Sequence, residues 1–354
     1  MDPSQKKWIA FSVVLSAIIL AVMLALTINE NTFEYLRQMN PIYLLLAVCL
    51  RVGSLFFWAF RLQLMSKGLG YTVKFSRAFN IVLVNLLAGA VTPGQVGGEP
   101  VRIHGLSQEG VKVGDATAVV LMERVLDGVI LTLISIFAIV FLEYYWSSLA
   151  IEFLVLFILG WVMMVGLIFG LVYLVLHPDS LKRIVARIGN WWTRRSRKPE
   201  ETERTKSRFA KIDKEIDNFH ESIMTFMKAG RSGIYGGALM TALFWISEFM
   251  VASLLLMGLG LQPYVIQSFF FQLIIAVVNM APLTPGSAGI AEISAASLYA
   301  LIVPSSLLGI FVVLWRLLLY YFNIFIGIFA GIFIFKDSMF GEGKEKPAEE
   351  QGNR

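Results

Sequence analysis

A single cysteine, Cys49, serves 354 residues, which excludes an internal disulfide framework and any cysteine-based metal site. Histidine is nearly as scarce. His104, His177 and His220 lie far apart without ligand spacing, so no metal centre is expected. Charge is thin: 16% of residues are Asp, Glu, Lys or Arg, and 57% are hydrophobic, against about a quarter charged and half apolar in soluble domains. There is no nucleotide-binding loop, which removes direct ATP drive, and no cofactor or nucleic-acid partner is expected. A Ser/His or Cys/His catalytic arrangement is missing too, so the chain reads as a non-enzyme.

What the sequence does have is long apolar runs. Uncharged stretches cover 9–29, 128–142, 153–176, 232–247, 249–281 and 317–335, several of them long enough for the ~20 residues that cross ~30 Å of hydrocarbon as helix. The strands of a barrel would be about ten residues of alternating character. The fold class expected is therefore an all-α polytopic membrane protein. The first run, after "DPSQKK", is about twice the length of a signal-peptide core and lacks a small-residue cleavage site, so it is retained as the first helix, 8–28.

Two short segments break this pattern. "TPGQVGGEPVR" begins at Thr92 and "TPGSAGIAE" at Thr284, an offset of 192 residues. The correspondence continues outward. Arg124 lies 32 residues after Thr92, and Arg316 lies 32 after Thr284. Gly-Leu-Gly closes an apolar run at Gly70 and again at Gly260, 22 and 24 residues before the two threonines. A lone Pro-Gly marks turns everywhere, but two copies in register, each followed by an arginine inside an apolar helix, indicate an internal duplication.

Charge orients the copies. The net charge of +5 has its densest cluster at Lys182, Arg183, Arg187, Arg194, Arg195, Arg197 and Lys198, inside a polar segment, 177–231, that the positive-inside bias places in the cytoplasm. Trp191 and Trp192 beside it suit a membrane interface and contact with anionic head groups. The arm 76–91 would be only about 24 Å long as a helix; if it spanned, the basic segment would face outside. It is therefore expected to enter, turn at Thr92-Pro93-Gly94 and return. The resulting organisation is repeat 1 at 42–142 with a re-entrant hairpin at 76–108, a linking helix at 149–176, and repeat 2 at 232–335 with a hairpin at 264–303. A polar tail, 336–354, follows. About six helices span, both termini are cytoplasmic, and the two copies have opposite orientations. Inverted repeats of this kind form substrate sites where their broken helices meet near the midplane.

Non-helical backbone at membrane depth survives only when buried in protein or lining a wet cavity. The helix after each turn should present free N–H groups and a positive dipole end, suited to an anion such as phosphate. The turn residues Thr92, Pro93, Gly94, Gly97 and Gly98, with Thr284, Pro285, Gly286 and Gly289, are accordingly candidate contacts. Arg51, Arg61, Glu123, Arg124, Asp127, Glu248 and Arg316 fall within predicted spans, where each charge costs ~2.5–3.5 kcal/mol unless it meets a partner or water. Arg124 and Asp127 are spaced to pair as i, i+3. Arg61, near a helix end, is expected to snorkel. Arg316 has no acid within a turn and must find a partner across the fold or a ligand anion. Asn85 and Asn279 suit helix–helix hydrogen bonding.

"TPGQVGGEPVR" with "MERVLD", then "TPGSAGIAE" with "LWRLLLYY", resembles the lysylphosphatidylglycerol synthase transmembrane-region family, flippase-like membrane proteins, over about 5–335. The resemblance implies lipid translocation, with Glu99, Arg102, Glu123, Arg124, Asp127, Glu292 and Arg316 as polar lining. In fused bacterial members this region moves an aminoacylated phospholipid made by a separate synthase domain. Here about 19 residues follow Phe335, so no synthase domain is expected, and prenyl-phosphate or glycolipid cargo is equally compatible. The leading expectation is a plasma-membrane lipid flippase for an anionic or aminoacylated lipid, working by alternating access. The alternatives are a lipid-modifying enzyme using Glu99 and Glu123 as acid and base, or a scaffold for a separate lipid synthase or glycosyltransferase. The scaffold would use the amphipathic stretch carrying Phe209, Ile212, Ile216, Phe219, Ile223, Phe226 and Met227, for which packing on the chain's own bundle is the other outcome. Proton coupling through Glu99, Glu123, Asp127 or Glu292 is open.

Overall fold

A computed structural model describes residues 39–90, 96–141, 151–177, 215–228, 230–279 and 286–340, together with Thr92, Thr284 and isolated helical positions within 14–38 and 179–187. The expectations for Pro93, Gly94, Pro285, Phe209, Ile212, Trp191, Trp192 and most of the basic cluster lie outside these residues. The described part contains helices and turns and no strand. In chain order the helices are α1 (Pro41–Gly68), α2 (Phe75–Ala90), α3 (Gly98–Gln108), α4 (Val113–Phe141) and α5 (Ile151–Leu176). They are followed by α6 (215–228), α7 (Arg231–Gly258), α8 (Val265–Asn279), α9 (Ile290–Tyr299) and α10 (Ser305–Arg316). A π-helical turn (Leu317–Tyr321) then leads into α11 (Phe322–Phe340).

The local chemistry sets these boundaries. Asn40 caps α1 by accepting the Ile42 N–H at 3.0 Å, with Pro41 pre-set at the first helical position. The far ends of α1 and α7 close identically. Gly70 (φ +89°) and Gly260 (φ +75°) adopt the left-handed conformation; Tyr71 N–H reaches Ser66 O at 3.1 Å, and Leu261 N–H reaches Leu256 O at 3.0 Å. This is the Schellman closure, and its left-handed position favours glycine. The Gly-Leu-Gly signal is therefore a helix stop.

Corresponding elements recur at nearly constant spacing: 190 residues separate α1 from α7 (231 − 41) and α2 from α8 (265 − 75), and 192 separate α3 from α9 (290 − 98) and α4 from α10 (305 − 113). The pre-turn helices have 16 and 15 residues and the post-turn helices 11 and 10. Helices α1 and α7 make the most extensive helix–helix contact, and they run antiparallel: Asn40 N–H donates to Gly258 O at 2.9 Å at one end, while at the other a Cβ on Gly233 would lie 3.0 Å from the Gly68 Cα. Glycine at that crossing lets the backbones meet, as small residues do between membrane helices. Helix α2 packs on α11, and α8 packs on α5 and α4, so each pre-turn helix leans on the opposite half of the molecule.

Helices α1, α7 and the stretch Ser305–Gly331 are each long and apolar enough to cross a membrane. Their outward faces, and that of α5, expose large apolar side chains such as Leu45, Ile158, Leu167, Leu239 and Phe325, a surface that lipid solvates and water does not. Helix α6 packs on the bundle as one of the two expected outcomes. Ile216, Phe219, Ile223 and Phe226 are buried against α1, α2 and α4, whereas Met227 of the expected stripe points away and is exposed. Ser222 and Tyr71 both donate to Asp115 at the start of α4. Burial, then that hydrogen bond, raises the Tyr71 pKa, so the phenol stays a donor.

Candidate functional site

The two broken turns meet. Gly286 N–H donates to Thr92 O at 3.3 Å, and Tyr320 hydroxyl to Ala90 O at 3.4 Å. Gly286 has φ +57°, and a Cβ there would fall 2.4 Å from Ala90 O, so only glycine permits the approach. Thr92 also caps α3, its Oγ1 accepting the Gly97 N–H at 2.9 Å. Side chains at Gly97 and Gly98 would collide with Thr92 and Asn85, which fixes Asn85 in the contact between the hairpin arms.

The helix N-termini are not vacant, contrary to expectation. At α9 the chain supplies its own anion: the Glu292 Oε2 accepts the Gly289 N–H at 2.8 Å, and its Oε1 accepts from Arg316 Nε at 3.0 Å. Arg316 also donates to Gly286 O at 3.0 Å and lies 4.1 Å from the Tyr320 ring centroid. The π-helical turn directly after Arg316 shifts the register and carries Tyr320. Thr284 contributes its carbonyl to Ser287 N–H.

The remaining charges form two further groups. Deep between α1, α3, α4 and α7, Arg61 donates to Glu123 at 2.8 Å, to Asp127 at 2.6 Å and to Thr241 at 3.2 Å. Arg102 binds the other Glu123 oxygen, and Trp245 Nε1 donates to Asp127 at 3.0 Å. Arg61 therefore does not snorkel; at 1% exposure it is the centre of a buried network, because two carboxylates one turn apart on α4 face it. Nor does Arg124 pair with Asp127. It turns to Glu99 on α3 at 2.7 Å, leaving Asp127 to Arg61. The third group joins α1, α7 and α11, with Arg51 and Ser54 donating to Glu248 and Arg51 to Asn323. Arg51, Arg61, Arg102, Arg124 and Arg316 balance Glu99, Glu123, Asp127, Glu248 and Glu292, five against five.

A cavity of about 190 Å³ opens between the two halves, well above the roughly 10–15 Å³ that one ordered water needs. Its polar wall is Arg51, Asn85, Arg124, Glu248, Gln272, Asn279, Ser287, Arg316 and Asn323, and Trp58, Trp245 and Trp315 supply indoles. Of the sequence candidates, Arg124, Gly286 and Arg316 line it directly. Glu99 and Glu292 lie behind them as partners, and Arg102, Glu123 and Asp127 sit in the buried network. Arg51 and Glu248 are ionisable residues inside spans, and that signal could have put them in the site; nothing in the sequence distinguishes Gln272 or Asn323. Among the described residues no group of His, Cys, Asp and Glu could hold a metal ion.

The model of the lysylphosphatidylglycerol synthase TM region matches residues 9–327. The chain belongs to that family. Its relatives include a UPF0104 membrane protein of Archaeoglobus fulgidus, 33% identical over 89% of this chain and 93% of the relative. A second, from Methanocaldococcus jannaschii, is 26% identical over 92% and 94%. No solved structure matches the chain. Family and apolar surface together make it an integral, multi-pass helical membrane protein.

Proposed function

We propose that the chain moves a lipid with an anionic head group across the plasma membrane, the head group passing through the central cavity while the acyl chains stay in the bilayer. In this reading the two copies are an inverted-topology repeat. Helices 8–28, α1, α4, α5, α7 and α10–α11 span, α2–α3 and α8–α9 are re-entrant hairpins, and both termini are cytoplasmic. Alternating exposure of the cavity carries the cargo. The observation that supports it most is the cavity itself: three guanidinium groups and three indoles around a space bounded by two touching broken turns, inside a molecule whose outer surface is apolar. The antiparallel run of α1 and α7, the first helices of the two copies, is what an inverted repeat requires.

The enzymatic alternative loses one of its two groups, because Glu123 is fully buried and clamped by Arg61 and Arg102. The scaffold alternative loses surface, because the apolar face of α6 is covered. In proteoliposomes, head-group-labelled phosphatidylglycerol and prenyl phosphate should cross faster than in empty vesicles, and Arg316→Ala should remove most of the gain. Equal rates in all three samples for every lipid tried would reject the reading.

A further inference from the structure

The charge balance of the cavity restricts what can enter it. Arg51, Arg124 and Arg316 reach its wall, against one carboxylate, that of Glu248. All three arginines already have acidic partners, and those of Arg124 and Arg316, Glu99 and Glu292, stand off the lining. An arriving phosphate therefore adds one negative charge to an interior whose fixed charges cancel, and an uncompensated charge there is costly. A guanidinium cannot offset it, being already protonated. The compensation has to be a proton on a carboxylate.

Glu248 is the carboxylate placed to take it. From α1 it faces Arg51 and Ser54. From α4 the charged groups towards this wall are Arg124 and Asp127, the latter bonded to Trp245 one turn before Glu248. From α10 and the π-helical turn they are Arg316 and Tyr320, and α8 offers the uncharged Gln272. Arg51 is 3% exposed, and its Nε has no hydrogen-bond partner among the described residues, so one donor of this guanidinium remains for a ligand.

We propose that the anionic head group crosses together with one proton, through an exchange at Arg51 and Glu248. The phosphate oxygens take the Arg51 guanidinium as the Arg51–Glu248 pair breaks, and Glu248 forms an O–H bond with a proton delivered from water in the cavity. Release on the other side reverses both steps. One ion pair replaces another, one proton is bound, and the charge of the site is unchanged throughout. The inference rests on the lipid-transport reading of the same cavity and names its driving force.

The test uses the full chain in phosphatidylcholine vesicles carrying a trace of head-group-labelled phosphatidylglycerol and a lumenal pH dye. One proton per lipid predicts that a pH step of one unit enriches the label about tenfold in the leaflet facing the alkaline side. The lumenal pH should move with the lipid, and a potassium diffusion potential should have no effect, because the pair crosses as a neutral unit. Glu248→Gln should abolish the enrichment, while Glu248→Asp keeps it at a lower rate. Translocation by the wild type with no lumenal pH change, distribution that follows the potential, or movement confined to a zwitterionic phospholipid without protons would each overturn the proton step and leave the transport reading standing. No translocation of any labelled lipid would overturn both.

Discussion

The two copies carry the same ion pair in the same place and give it different surroundings. Arg124 is the twelfth residue of α4, and Arg316 is the twelfth of α10. Each uses its Nε to bind the Oε1 of a glutamate in the first turn of the post-turn helix, at 2.7 Å from Glu99 and 3.0 Å from Glu292. The first pair is a quarter exposed, 25% and 24%, and the second is buried at 6% and 0%. A second difference accompanies it. At the repeat spacing Arg61, Arg102, Glu123 and Asp127 correspond to Val251, Ser294, Trp315 and Leu319, so the buried network belongs to one copy alone. Duplication supplied two equivalent gates, and divergence gave each its own fastening. Copies of one element, one open and one closed, are what an inverted pair shows in any single state of an alternating cycle.

The comparison is broken most severely at the unduplicated network. Glu123→Gln strips Arg61 and Arg102 of a shared carboxylate, and removing one partner of a buried pair costs about 3–5 kcal/mol. The expected outcome is loss of most folded protein, read by denaturant unfolding in micelles. The copies themselves separate next. Glu292→Gln should cost about 3 kcal/mol by the same mechanism, whereas Glu99→Gln, in a partly hydrated pair, should cost under about 1 kcal/mol; equal costs would show that exposure does not distinguish the pairs. Gly286→Ala combines a left-handed backbone with a Cβ 2.4 Å from Ala90 O. It should cost about 1–3 kcal/mol and slow transport, because it pushes the two turns apart. The smallest effect tests what stayed alike: Gly70→Ala and Gly260→Ala have open space around them and differ from glycine only in backbone strain. About 1 kcal/mol is expected for each, equal within error in thermal melts.

Much of this was legible in the sequence because it is local or repeated. The Gly-Leu-Gly stops, the two TPG turns and the paired arginines have fixed spacing, and the structure returns the same offsets. What could not be read was which charge meets which. Arg124 and Asp127 are spaced to pair along one helix, yet α3 brings Glu99 closer to the first, and α1 brings Arg61 closer to the second. The expectation of open N–H groups after the second turn failed for a related reason: Glu292, three residues after Gly289, folds back and fills the place of a ligand. Arg51, Glu248 and Asn323 meet only because α1, α7 and α11 converge, and no pattern along the chain encodes that convergence.

The central claim is that one cavity is reached from each side of the membrane in turn. Ala276 lines that cavity and carries no charge. In a Cys49→Ala background, Ala276→Cys in vesicles of uniform orientation would be exposed to a membrane-impermeant maleimide applied to one face or the other during lipid transport. The account predicts labelling from both faces, at different rates; labelling from one face only, however long the exposure, would contradict it.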